Sequence, residues 1–170
     1  LKQFTDAIHA TGAKIFQQLN HNGRLLASSK ELKTAVTSTV VGPSAIPHLS
    51  TGEVPKELTV AEIQELIEKF AQAARRAKTA GFDGVELHGT HGYLINQFFS
   101  LYSNRRTDAY GGSLENRARL TLEIVDTVAQ IWDSSQMGVR ISPDNSFNDI
   151  HDSDPQALFK RHFQKDQPAP

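Results

Sequence analysis

The sequence predicts an α/β protein with parallel strands, and two observations carry this prediction. Helical and extended segments alternate along the 170 residues in the order α-β-α-β-α-β-α, which is typical of strands joined by helical crossovers. Polar residues suited to a site follow three successive strands, and no glycine-rich phosphate loop follows any of them. The pattern therefore favours part of a (β/α)8 TIM barrel over a doubly wound open sheet, with the chemistry at the carboxyl ends of the strands.

The number of strands limits how much of a barrel this chain can form. A (β/α)8 barrel contains eight strands in about 250 residues, whereas this chain supplies three predicted strands in 170 residues and begins at Leu1 inside a predicted helix. We therefore expect a fragment. Residues 1–153 are the central part of a barrel in this interpretation, and residues 154–170 are a last helix with a divergent polar tail.

The amino-terminal third predicts a helix, a strand and a long loop. Residues 1–11 have the apolar spacing of a helix that ends at Gly12, and residues 13–19 form a short apolar-rich segment typical of a strand. Residues 20–58 show no sustained period and predict a loop. Because unstructured loops longer than about 15 residues are rare in compact domains, this one is expected to be functional or disordered.

The remaining two thirds predict two long helices and two strands. The clearest helix begins at Thr59, which has capping-box spacing to Glu62, and ends at Gly81. The later elements are a strand at 83–88, a short helix at 93–99, a polar turn-rich segment at 104–112, a helix from Ser113 to Ile131, a strand at 137–143, and a last helix at 156–163 after an Asp154-Pro155 cap.

Composition excludes several classes of partner. The formal net charge is -1 and no basic stripe is present, so a nucleic-acid partner is not expected. The absence of cysteine excludes disulfides and thiolate metal sites, and it fits a reducing, cytoplasmic location. No apolar run approaches the roughly 18 residues of a membrane span, so we expect no membrane association.

Two histidines three residues apart are the sharpest chemical signal. His88 and His91 follow the second predicted strand and are bracketed by Gly89 and Gly92, which allow tight turns. Three interpretations are open: a metal site that lacks a third ligand, inert loop histidines, or two N–H donors aimed at a developing oxyanion. Tyr93, two residues further on, could add a phenolic proton.

For two polar residues inside predicted strands, a structural role and a role in cofactor binding are both open. Arg140 lies in an apolar strand, where it is either one half of an interior ion pair, for instance with Glu86, or a fixed positive charge beside an anionic cofactor atom. Gln18 in the first strand is either a hydrogen-bonded interior amide or a ligand of a cofactor. His21 follows the same strand and is a further site-like residue.

Four sequence blocks resemble one family, the old yellow enzymes, which are also called NADH:flavin oxidoreductases. The blocks occur in the same order as in the family. They are QLNHNGR at 18–24, GFDGVELHGTHGYLINQF at 81–98, NRRTDAYGGSLENR at 104–117 and GVRISP at 138–143. The resemblance implies FMN bound to a (β/α)8 barrel, of which this chain supplies the family's strands 3 to 5, that is, about three central βα units.

The resemblance also implies a role for each site residue. Gln18 would bond the flavin pyrimidine ring, Arg140 would face its N1/O2 edge, and His88 would contribute to the cofactor site. His88, His91 and Tyr93 would bind the substrate's carbonyl or nitro oxygen, and no metal is implied. NADH or NADPH would reduce the flavin, which would pass hydride to the β-carbon of an activated alkene while Tyr93 protonates the α-carbon.

The resemblance also defines what this chain lacks and leaves one alternative open. The family's first two strands would precede Leu1, and the strands whose loops bind the FMN phosphate would follow residue 170. We therefore expect the isolated chain to bind FMN weakly or not at all. The alternative is a non-catalytic barrel remnant that acts only in binding or assembly, and a homo-oligomer of the full-length protein is compatible with either interpretation.

Overall fold

A computed structural model of the chain describes residues 1–28, 39–50, 52–143 and 146–150. Helices and strands alternate through these residues, as the sequence predicts. In chain order the elements are α1 (Lys2–His9), β1 (Phe16–Leu19), a 3-10 helix (Gly23–Ser28), β2 (Val41–Gly42), β3 (Lys56–Glu57), α2 (Val60–Thr79), β4 (Gly84–Gly89), α3 (Leu94–Phe99), α4 (Leu114–Ala129), a 3-10 turn (Ser134–Gln136) and β5 (Met137–Ile141).

The main sheet has three parallel strands in the order β1-β4-β5. Gln18 of β1 lies opposite Glu86 of β4, and His88 of β4 lies opposite Arg140 of β5. The α/β class with a parallel sheet is therefore confirmed. The register also places the polar residues of three strands in neighbouring rows.

The two faces of this sheet have opposite character, because side chains alternate along each strand. Val85 and Leu87 of β4 are fully buried and belong to a core that α2 and α4 complete with Ile63, Phe70 and Ile124. Every second residue points the other way, and on that face the strands carry the polar side chains. The helices thus cover the apolar face, and the polar face stays open.

The start of α2 follows the sequence prediction closely. The hydroxyl of Thr59 accepts a hydrogen bond from the Glu62 N–H at 3.2 Å, and the Glu62 carboxylate accepts one from the Thr59 N–H at 2.9 Å. This reciprocal capping box satisfies two N–H groups that a helix start leaves free. The predicted cap of α4 also forms, since Ser113 Oγ accepts from the Asn116 N–H at 3.2 Å. In the described residues, no helix is both long and apolar enough to cross a membrane.

The predicted loop over residues 20–58 is partly wrong. It contains the 3-10 helix and a parallel ladder in which the Lys56 N–H donates to Val40 O at 2.9 Å and the Leu58 N–H donates to Gly42 O at 3.1 Å. Two-residue strands are too short to leave a period in the sequence, and they form only because the fold brings them together. The predicted cap and helix within residues 154–163 lie outside the described residues.

The first strand is shorter than residues 13–19 because Asp83 interrupts the ladder. Its carboxylate accepts from the Ile15 N–H at 2.8 Å and from Lys14 Nζ at 2.8 Å. His9 Nε2 lies 2.8 Å from the same carboxylate. One side chain therefore ties α1, the entry to β1 and the entry to β4 together at the end of the sheet opposite the candidate site.

Candidate active site

The five predicted site residues fall into two groups at the open face of the sheet. His88, His91 and Tyr93 lie together at the carboxyl end of β4, and Gln18 and Arg140 lie on the strands to either side of it. The groups adjoin because His88 is opposite Arg140 in the β4–β5 register.

The first group is a cluster of three rings. The centroid of the His88 ring lies 5.8 Å from that of His91 and 5.1 Å from that of Tyr93, with the planes tilted by 46° and 51°. His88 is buried, Tyr93 is half-buried and His91 is exposed. Phe147 stands edge-on to His91 with the centroids 6.3 Å apart. The two imidazoles therefore lie close enough to converge on one ligand atom.

A tight turn places His91 and Tyr93 beside His88. His91 has a left-handed backbone with φ 56°, Gly92 follows with φ 76°, and Thr90 Oγ1 lies 2.8 Å from His91 Nδ1. The Gly92 N–H donates to Asn96 Oδ1 at 2.9 Å, and the Gly92 carbonyl accepts from Gln97 Nε2 at 2.7 Å. Asn96 and Gln97 of the buried helix α3 thus hold the turn through its backbone.

The charge state of His88 follows from its surroundings. Burial lowers the pKa of this imidazole, and the neighbouring His91 and Arg140 lower it further, against an opposite effect of Glu86. His88 is therefore neutral at pH 7 and carries a single N–H. Its Nδ1 is buried and has no hydrogen-bond partner among the residues that the structure describes. A buried nitrogen of this kind costs free energy unless a ligand satisfies it.

The second group is a row of three side chains across the strands. Glu86 accepts from Gln18 Nε2 at 2.5 Å, from Arg140 Nε at 2.8 Å and from Arg140 Nη2 at 3.1 Å. The hydrogen bond from Arg140 is the main cause that lowers the pKa of Glu86, and the same contact raises the pKa of Arg140. Arg140 and Glu86 therefore form an ion pair at the open face of the sheet, where the side chain of Arg140 is 55% exposed.

An open cavity of about 380 Å³ lies over this row, and its lining includes Phe16, Gln18, Glu86 and Arg140. Its volume is within the range of ligand sites, on the order of 300–1,000 Å³. The isoalloxazine ring of FMN carries carbonyl oxygens and a ring nitrogen that accept hydrogen bonds and become more negative on reduction. Gln18 and Arg140 offer N–H donors and a positive charge there, so the residues fit this group.

Several residues that surround the histidine turn were not predicted from the sequence. Asn148 Nδ2 donates to His91 O at 2.7 Å, and Arg24, which is fully buried, donates to the carbonyls of Asn148 and Asp149 at 3.3 and 3.0 Å. Arg24 appeared in the sequence only as the end of a family block. The available signal was an arginine between a glycine and two leucines, because a charge in such a setting must find buried partners.

His21 forms hydrogen bonds outside the cluster of His88, His91 and Tyr93. Its Nδ1 accepts a hydrogen bond from the Gly23 N–H at 3.0 Å, and its carbonyl accepts from the Leu94 N–H at 3.0 Å. Burial lowers the pKa of His21, and Lys69 lowers it further. His21 therefore joins the end of β1 to the start of α3. Among the described residues, no three His, Asp or Glu side chains form a group that could hold a metal ion.

Comparison with known proteins identifies the family. Residues 1–164 match the NADH:flavin oxidoreductase / NADH oxidase family. The chain is 43% identical over 173 residues to the probable flavin mononucleotide-dependent alkene reductase of Leishmania infantum, covering 94% of this chain and 47% of that protein. It is 49% identical over 142 residues to the NADPH dehydrogenase of Geobacillus sp. (strain WCH70), covering 84% and 39%.

A solved structure agrees with these relatives. The Old Yellow Enzyme from Pichia sp. AKU4542 superposes with a TM-score of 0.85 at 32% identity, covering 97% of this chain and 47% of that one. The chain therefore belongs to the NADH:flavin oxidoreductase / NADH oxidase family, and the resemblance to old yellow enzymes is confirmed. It spans less than half the length of each of these three proteins.

The names of the family and of its members agree with the class of enzyme and the cofactors that the sequence predicts. The names of the family and of these relatives agree with NAD(P)H:flavin oxidoreductases of the old yellow enzyme type, and they specify flavin mononucleotide and a nicotinamide nucleotide. The expectation of FMN with NADH or NADPH is therefore confirmed. The two curated relatives carry the names of enzymes, which does not favour the alternative of a non-catalytic remnant.

Proposed function

We propose that this chain carries the substrate- and flavin-facing residues of an FMN-dependent ene-reductase that acts on α,β-unsaturated carbonyl or nitro compounds. Residues 1–153 would form about three central βα units of the family's barrel, its strands 3 to 5. The first support is the name of one relative, an alkene reductase. The second is the geometry of the site.

One observation carries the proposal, the state of His88. Its buried Nδ1 lacks a partner among the described residues, and its ring adjoins both His91 and Tyr93. It also lies on the face of the sheet that carries Gln18 and Arg140. A neutral imidazole in this position is suited to bind an uncharged oxygen, such as that of a carbonyl or nitro group.

The two histidines would polarise the activating group of the substrate. Each imidazole can donate an N–H, and two donors directed at one oxygen would stabilise the negative charge that develops there when hydride adds to the β-carbon. Tyr93 would place its hydroxyl proton at the α-carbon. When bound, FMN would supply the hydride that it has taken from NADH or NADPH.

The row of side chains beside the histidines would hold the flavin. Gln18 would donate to the pyrimidine ring, and Arg140 would present positive charge to its N1/O2 edge. Glu86, which accepts from both side chains, would fix their directions. His88 lies between this row and the substrate oxygen, and it would therefore border both molecules.

A Tyr93→Phe variant of the full chain tests this assignment. With FMN at saturating concentration, NADPH and 2-cyclohexenone, the variant should reduce the alkene about 10²- to 10⁴-fold more slowly, which is the usual contribution of one general acid. Flavin reduction by NADPH in anaerobic stopped flow should be unchanged. Tyr110→Phe is the matched control, because the Tyr110 hydroxyl donates to Glu123 of α4 at 2.7 Å, away from the candidate site. Equal losses in both half-reactions, or no turnover by the unmodified chain, would contradict the proposal.

Several further properties belong to this proposal rather than to the findings. The chain alone would bind FMN weakly. We also propose a cytoplasmic location and a homo-oligomer of the longer protein. Titration of the chain with FMN, followed by flavin fluorescence, measures the affinity, and tight stoichiometric binding would contradict the expectation of weak binding.

A further inference from the structure

The described residues other than glycine that have a left-handed backbone lie together at one place in this structure. Among the residues that it describes, three non-glycine residues have positive φ, namely His91 at 56°, Asn148 at 62° and Asp149 at 57°. L side chains adopt this region rarely, although Asn, Asp and His tolerate it better than most residues. Such conformations persist where the surrounding structure restrains them, and residues of this kind often mark functional sites.

The side chain of Asn148 supplies a restraint of this kind. Its Nδ2 donates to the carbonyl oxygen of His91 at 2.7 Å. Asn148 also lies close to Gly92, the residue after His91, because a Cβ built on Gly92 would lie 2.5 Å from the Cβ of Asn148. The segment that follows β5 thus packs directly onto the turn that follows β4.

The buried guanidinium of Arg24 fixes the segment that carries Asn148. Arg24 Nη2 donates to the carbonyls of Asn148 and Asp149 at 3.3 and 3.0 Å. Its Nη1 donates to Pro47 O at 3.4 Å, and the ring of Tyr102 lies 5.7 Å from the guanidinium carbon. A buried charge is stable only where such partners surround it. The two left-handed residues after β5 are therefore held through their carbonyl groups.

We propose that Asn148 is a positioning residue that keeps His91 in its left-handed conformation and thereby keeps the imidazole of His91 beside that of His88. Without the hydrogen bond to its carbonyl, His91 would relax toward negative φ. That rotation redirects the bond from Cα to Cβ, and it would carry the ring away from its present centroid distance of 5.8 Å to His88. The consequence for alkene binding rests on the function proposed above, whereas the conformational claim does not.

An Asn148→Asp variant removes the N–H donor and keeps the shape of the side chain and its tolerance of positive φ. In the isotope-labelled full chain, the coupling constants and Cβ shift of His91 should report positive φ before the change and negative φ after it. Asn116→Asp is the matched control, because Asn116 Nδ2 also donates to a backbone carbonyl, that of Gly111 at 3.0 Å. The control should leave the His91 signals unchanged.

Asn148→Gly covers the case in which the aspartate variant does not fold, since glycine accepts left-handed backbone without a side chain. It too should release His91 to negative φ while the signals of α2 and α4 stay in place. If His91 keeps positive φ in a folded variant of either kind, the proposal is wrong.

A kinetic measurement separates this proposal from the proposed function. With FMN and NADPH, Asn148→Asp should lower kcat/KM for 2-cyclohexenone roughly five- to tenfold, as expected for one hydrogen bond, mainly through KM, with flavin reduction unchanged. If NMR shows that His91 has moved to negative φ but this kinetic loss is absent, the proposed role of Asn148 in alkene binding is wrong. Absence of any turnover in the unmodified chain would contradict the proposed function, and the NMR result would still decide the conformational claim.

Discussion

The guanidinium of Arg140 lies along the carboxylate of Glu86, with Nε 2.8 Å from Oε1 and Nη2 3.1 Å from Oε2. Two parallel contacts of this kind fix direction as well as distance. The same carboxylate accepts from Gln18. One acidic side chain thus orients both of the donors that we assign to the flavin, although it is not itself a donor.

We predict that Glu86→Gln weakens FMN binding roughly five- to tenfold, equivalent to about 1–1.4 kcal/mol, because Arg140 loses a charged partner and with it a fixed direction. Quenching of flavin fluorescence during titration measures the affinity. Glu68→Gln is the control, since Glu68 pairs with Arg75 at 2.8 Å on the exposed surface of α2. Equal affinities of the Glu86→Gln variant and the original chain would contradict this prediction.

The low pKa of His88 predicts how the site responds to pH. Burial, with a further effect of His91 and Arg140, lowers the pKa of His88 below the usual 6.5, and the folded protein therefore resists protonation that the unfolded chain accepts. Stability should therefore fall as pH drops below about 6.5. Ring nitrogen shifts should show His88 neutral at pH 7, with a midpoint below 6.5, and a midpoint at or above 6.5 would refute the prediction.

Asp83 predicts a second acid-sensitive step at the other end of the sheet. Hydrogen bonds from Lys14, the Ile15 N–H and His9, in decreasing order of effect, lower the pKa of Asp83. Its stabilising contribution is therefore complete above the unfolded pKa of about 4 and is lost as pH falls below it. Urea unfolding between pH 5 and pH 2.5 should show this loss.

The Asp83→Asn variant should flatten that pH dependence, because it removes the titrating group. Asp6→Asn is the control, since Asp6 pairs with Lys2 on the exposed surface of α1, and its side chain is 57% exposed. The control should keep the slope of the original chain. A slope that persists in Asp83→Asn would assign the acid sensitivity to other carboxylates.

Gly92 and Gly112 have similar positive φ angles, and substitutions at these two glycines measure how much the contact between the loops after β4 and β5 contributes to stability. Gly92 has φ 76° and would bring a Cβ to 2.5 Å from that of Asn148, whereas Gly112 has φ 78° and nothing within 4 Å of a built Cβ. Gly112→Ala should cost about 1–2 kcal/mol, the cost of a left-handed L residue.

Gly92→Ala should cost more than Gly112→Ala, by about 1–3 kcal/mol, because the same strain is joined by a clash in a packed contact. Urea unfolding at one pH gives both free energies of unfolding. Equal costs for the two variants would mean that the segment carrying Asn148 moves away freely, and the difference between them measures how firmly Arg24 holds it.

The sequence predicted the elements whose signals are local. The Thr59 cap of α2 lies within four residues of its partner Glu62, and His88 ends a strand that alternates cleanly, so neither depends on distant residues. The sequence also suggested the pair of Arg140 with Glu86, because an arginine in an apolar strand needs an acidic partner and Glu86 is a plausible neighbour.

Features made by residues far apart in the chain were not predicted. The β2–β3 ladder joins Val41 to Lys56 through two residues per strand, which leaves no period to detect. The contact of Asn148 with His91 depends on how β5 aligns with β4, and no local pattern encodes that alignment. The candidate site was therefore identified by its histidines and not by the residues that orient them.

The buried guanidinium of Arg24 has a consequence for the order in which the chain folds. Its partner Asn148 is 124 residues away in the sequence, so the contact closes a loop that includes most of the chain, and long loops form slowly because their closure costs entropy. The capping box of α2 can form within a single helical turn. We expect the histidine turn to reach its final shape only after all three strands have paired, so that the candidate site is the last part of the described chain to become ordered.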